Sequence, residues 1–65
     1  MPEVYKVLIA DDEADARKLI KEYLTAVPHL SLCGEAKNGP EAVRLIDELE
    51  PDLVFLDIQM PGLSG

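Results

Sequence analysis

Leu53-Val54-Phe55-Leu56-Asp57 is the stretch that most restricts what this chain can become: four apolar residues in a row, ended by a carboxylate. Pro51 precedes the run, and Pro61-Gly62 follows it after Ile58, Gln59 and Met60. A short apolar run between breakers reads as a strand written for the interior of a parallel sheet. Pro61-Gly62 cannot extend that strand and marks a loop. Asp57 is therefore expected at the carboxyl end of a central-type strand, the place where open α/β sheets put their ligand sites. A carboxylate there is costly unless something pairs with it.

The rest of the chain supplies candidates for that partner. Val4 to Ala10 reads as another central-type strand, with Lys6 near its entry, and it runs out into Asp11-Asp12-Glu13. Asp11 and Asp12 are both candidates to cap the helix that follows. Between Ala14 and Val27, the residues Ala16, Leu19, Ile20, Tyr23, Leu24 and Val27 form one helical stripe, which Pro28 ends. Leu30 to Ala36 alternates in the manner of an edge strand. Asn38-Gly39-Pro40-Glu41 opens a second helix with Asn38 or Gly39 as cap, and Ala42, Leu45, Ile46 and Leu49 form its stripe up to Pro51.

This β-α-β-α-β order has connections too long for hairpins, so a parallel sheet with right-handed crossovers is expected. Two central-type strands and one edge-type strand give the order 2-1-3 with one helix on each face. The switch point then lies between the first and third strands. Asp11, Asp12 and Asp57 end those two strands and should meet. Three clustered carboxylates repel one another, and a hard divalent cation such as Mg²⁺ relieves the conflict. The chain has no Gly-rich phosphate loop and no basic cluster, so the simplest phosphoryl chemistry makes Asp57 itself the acceptor. Asp11 and Asp12 are better placed to hold the metal.

Composition removes several other classes of function. Thirteen acidic against six basic residues give a formal charge of -7 over 65 residues, which disfavours contact with nucleic acid or an anionic membrane by this segment. One cysteine excludes an internal disulfide and a Cys-rich metal site. No apolar run has the length of a membrane span and the N-terminus does not resemble a signal peptide, so a cytoplasmic location is expected. His29 reads as a solvated loop residue and Cys33 as a small apolar filler.

Ile9-Ala10-Asp11-Asp12-Glu13, followed further on by Leu53-Val54-Phe55-Leu56-Asp57-Ile58-Gln59-Met60-Pro61-Gly62, closely resembles the receiver domain of bacterial two-component response regulators. The Asp57-Ile58-Gln59-Met60-Pro61 wording is most similar to regulators carrying a LytTR-type DNA-binding domain. The resemblance implies a flavodoxin-like fold with Asp57 as phosphoacceptor and a sensor histidine kinase as donor. It further implies Mg²⁺ ligated by Asp12, Asp57 and the backbone carbonyl of Gln59, with Asp11 acting partly through water. It spans all 65 residues but covers the first half of the family's five-stranded fold, so truncation before the fourth strand is expected, together with loss of the hydroxyl and lysine residues that end strands four and five. Any DNA contact would belong to an output domain outside these residues. Two alternatives stand beside the receiver reading: a Mg²⁺-dependent phosphohydrolase, and a structural fragment that exchanges no phosphate. Against the hydrolase, Gln59 stands where a general acid would be needed. The apolar third strand, an edge in the order 2-1-3, leads to the expectation of a homo-oligomer.

Overall fold

In the computed structural model, which describes residues 3–57, a three-stranded parallel sheet carries one helix on each face. The elements are β1 (Tyr5–Ala10), α1 (Ala14–Thr25), β2 (Leu30–Ala36), α2 (Gly39–Leu49) and β3 (Leu53–Leu56), and the strand order is β2-β1-β3. The expected α/β class, order and handing of helices to opposite faces are all present. The core is built around β1, whose last four residues, Val7 to Ala10, are buried. Val7 and Ile9 pack with Leu24, Ile20 and Leu30 beneath α1, while Ala10 packs with Ala36, Ala42 and Leu45 beneath α2. Alternation along one strand thus feeds both layers.

β2 departs from simple alternation. Val7 pairs with Leu32 but Leu8 pairs with Gly34, so the register slips past Cys33. That slip places Gly34 under α2, where a Cβ would lie 2.9 Å from Leu49 Cδ1 and 3.2 Å from Leu8 Cδ1. The missing side chain lets α2 approach the sheet.

Both helix starts correct or refine the sequence reading. The N-cap of α1 is Glu13, not Asp11 or Asp12, and its side chain makes no capping bond. Asp11 instead accepts the Glu13 N–H on Oδ1 at 2.9 Å, an Asx-type turn that leads into the helix. α1 also ends before Val27, its last turn tightening as the Ala26 and Val27 N–H groups donate to Tyr23 and Leu24 carbonyls. In α2 the cap is Asn38, whose Oδ1 accepts from the Glu41 N–H at 2.8 Å. Glu41 returns a bond to the Lys37 N–H at 3.0 Å, a relative of the capping box.

The end of α2 steers the chain into β3. Glu50 is left-handed with φ 48°, and Lys6 Nζ donates to the Leu49 carbonyl at 2.8 Å, a cation at the negative end of the helix. Asp52 and Lys6 exchange two bonds: the Asp52 N–H donates to the Lys6 carbonyl at 2.8 Å, and the Lys6 N–H donates to Asp52 Oδ2 at 2.7 Å. These set the register that pairs Val7 with Leu53 and Ala10 with Leu56. β3 itself is not buried: its four apolar residues are each between 37% and 47% exposed. The interior-type sequence therefore lies on an edge strand.

Candidate functional site: an acidic cluster at the strand ends

The register of β1 and β3 decides where the acids go. Because Ala10 pairs with Leu56, the next residue of each strand, Asp11 and Asp57, lies side by side at the carboxyl edge of the sheet. The Asp57 N–H extends the ladder by donating to the Ala10 carbonyl at 2.9 Å. On the other side, the Asp11 N–H donates to the Ala36 carbonyl of β2 at 3.1 Å. Asp11 is thus bonded to the end of β2, while its neighbour Ala10 is bonded to the end of β3.

Asp11, Asp12 and Asp57 each offer a carboxylate oxygen within 4.8 Å of the others. Asp11 and Asp57 are half-buried and Asp12 is exposed, so the cluster opens to solvent on one side. The three sequence candidates meet as expected. The fourth, Gln59 with its backbone carbonyl, lies outside the described residues. Lys6 is at the opposite end of β1, held by the carboxyl end of α2, and takes no part in the site.

The donor set suits a small hard cation. Oxygens on opposite sides of an octahedral Mg²⁺, at about 2.0–2.1 Å from the ion, are about 4.1–4.2 Å apart. Three oxygens within 4.8 Å can therefore bind one ion with a slight closure, or with one acid acting through water. All three donors are carboxylates, which favours Mg²⁺-type ions over the softer metals that call for His or Cys. His29 is exposed and Cys33 half-buried, and neither belongs to the cluster.

Sequence reasoning missed Arg17. It reads as part of the polar face of α1, yet its side chain is only 13% exposed. Its guanidinium donates to the Asp11 main-chain carbonyl at 2.8 Å and to Glu35 Oε1 at 3.3 Å. Glu35 Oε2 also accepts from Lys21 Nζ at 3.2 Å. The available signal was its placement: Arg17 follows the acidic turn by little more than one helical turn and can fold back over it.

Residues 7–65 match the family model described as the response regulator receiver domain. The chain belongs to that family. It is therefore a receiver module of two-component signalling, a phosphoacceptor by family, and neither the phosphohydrolase nor the inert-fragment alternative is favoured. Among curated relatives, the protein-glutamate methylesterase/protein-glutamine glutaminase of Pyrococcus horikoshii is 43% identical over 60 residues, which are 92% of this chain and 16% of that protein. Among solved structures, the response regulator domain of Thermotoga maritima CheB superposes with a TM-score of 0.88 at 42% identity, over 95% of this chain and 46% of that one. A chain from the complex of the P1 domain of CheA3 with CheY6, from R. sphaeroides, matches with a TM-score of 0.82 at 36% identity, over 92% and 47%. The receiver thus spans about half of the structures it superposes on and a sixth of its methylesterase relative. These relatives give no support to the LytTR-type resemblance. No helix among the described residues is long and apolar enough to cross a membrane.

Proposed function

We propose that Asp57 is the phosphoacceptor and that Asp11, Asp12 and Asp57, with the backbone carbonyl of Gln59, hold Mg²⁺. The observation that carries this reading is the meeting of three carboxylates at the carboxyl ends of β1 and β3. A carboxylate oxygen of Asp57 forms the new bond to phosphorus as the bond from phosphorus to the donor breaks, giving an acyl phosphate. Mg²⁺, when bound, offsets the mutual repulsion of the acids and of the incoming phosphoryl oxygens. Asp57 is the nucleophile because it ends an apolar strand with its backbone fixed to Ala10. Asp11 and Asp12, adjacent on one turn, supply the charge that retains the ion.

The donor is a sensor histidine kinase, a reading supported by the likeness to a chain crystallised in the CheA3 P1–CheY6 complex. Residues 1–65 form the β1-α1-β2-α2-β3 half of a receiver, in the cytoplasm. Where they are part of a longer protein, its relatives favour a methylesterase output over a LytTR-type one. The test is incubation with acetyl phosphate, with and without Mg²⁺. Stoichiometric uptake that needs Mg²⁺ and disappears in Asp57→Asn is expected. Uptake that persists in Asp57→Asn would refute the acceptor assignment.

A further inference from the structure

We propose that Arg17 is a positioning residue for the acidic site, holding the Asp11–Asp12 peptide at the angle that points both carboxylates toward Asp57. The inference rests on the reading of that cluster as a Mg²⁺ site. The carbonyl that Arg17 binds, at 2.8 Å, belongs to the peptide unit linking Asp11 to Asp12. A peptide unit is planar, so fixing its carbonyl fixes the plane that joins the two acids. The bond thereby ties α1 to the backbone from which both carboxylates project.

The other end of the guanidinium is anchored in its turn. Glu35 of β2 accepts from Arg17 Nε and from Lys21 Nζ, so two cations of α1 share one carboxylate. The shared carboxylate limits the positions open to Arg17, and burial of its side chain strengthens both bonds relative to those of the more exposed Lys21. An arginine suits this place because its donors diverge in a rigid fork, one to the backbone of the acidic turn and one to β2. A simple staple between α1 and β2 would need only the Glu35 bond. The second bond, to the Asp11 carbonyl, ties the guanidinium to the acidic turn itself.

Mg²⁺ titration of the folded protein, followed by the amide signals of residues 11–13, separates the two roles. Arg17→Met should weaken Mg²⁺ binding by on the order of tenfold, as loss of a partner behind a metal ligand does. It should also shift the Asp12 and Glu13 amides before any metal is added. Lys21→Met, which touches only Glu35, should leave the affinity unchanged. Arg17→Gln carries the same expectation as Arg17→Met and serves if the methionine variant does not fold. Wild-type affinity in the folded Arg17 variants, or an equal loss in Lys21→Met, would overturn the inference. Absence of any Mg²⁺ response in the unaltered protein would refute the magnesium reading itself, and this inference with it.

Discussion

At the scale of single residues, capping shows where a sequence speaks clearly and where it does not. The cap of α2 was legible to within one residue, Asn38 or Gly39, because both stand directly before Pro40-Glu41, and the Glu41 N–H donates to Asn38. Replacing it with alanine removes the acceptor for the Glu41 N–H and should lower stability by about 1 kcal/mol. Chemical denaturation of Asn38→Ala beside Asn38→Asp checks this, since aspartate keeps the acceptor and should stay near the original midpoint. Asp11 and Asp12 were harder to assign. Either has the chemistry of a cap, and the choice depended on where the strand pairing of β1 released the chain. Pairing with Ala36 holds Asp11 in the sheet, which moves the helix start on to Glu13. The acids were thereby left for the site, where their convergence with Asp57 was foreseeable from strand order alone.

Elements were legible from their periodicity and punctuation, while burial was not. The stripe of α1 includes Leu19 and Tyr23, yet these are 66% and 63% exposed. A helix covers only the sheet beneath it, and α1 is drawn toward β2 by Arg17 and Lys21, so Leu19 and Tyr23 lie on its opposite flank. The slip at Cys33 was likewise invisible, because a bulge leaves the apolar pattern on either side of it intact. β3 shows the same limit: apolar residues written for an interior are half open here. The consequence is a graded response to truncation. Ile9→Ala, in the fully buried centre of β1, should cost about 2–5 kcal/mol. Phe55→Ala, its paired neighbour in β3, should cost clearly less despite the larger side chain, because 37% of Phe55 is exposed and its site can collapse into solvent. Measured at concentrations where the protein is monomeric, equal losses from the two would contradict the exposure of β3.

For the whole molecule, we propose that this exposure supports self-association. Leu53 and Phe55 face the α1 side and Val54 and Leu56 the α2 side, so both faces of β3 carry apolar surface. Among the described residues β3 pairs on one side only, with β1. Such an edge favours pairing with a second copy, and small domains gain stability by oligomerising. Sedimentation equilibrium at micromolar concentration should show a homodimer or larger species, strengthened by salt because each copy carries a charge of -7. A monomer with slow amide exchange in Leu53 to Leu56 would contradict this. Phosphoryl transfer, by contrast, comes down to one oxygen, that of the Asp57 carboxylate. Borohydride reduction after treatment with acetyl phosphate and Mg²⁺ converts an aspartyl phosphate to homoserine, which peptide sequencing by mass spectrometry then locates. Homoserine is expected at position 57 alone, and only with Mg²⁺. Homoserine at position 11 or 12, or its formation at full yield without Mg²⁺, would contradict that expectation.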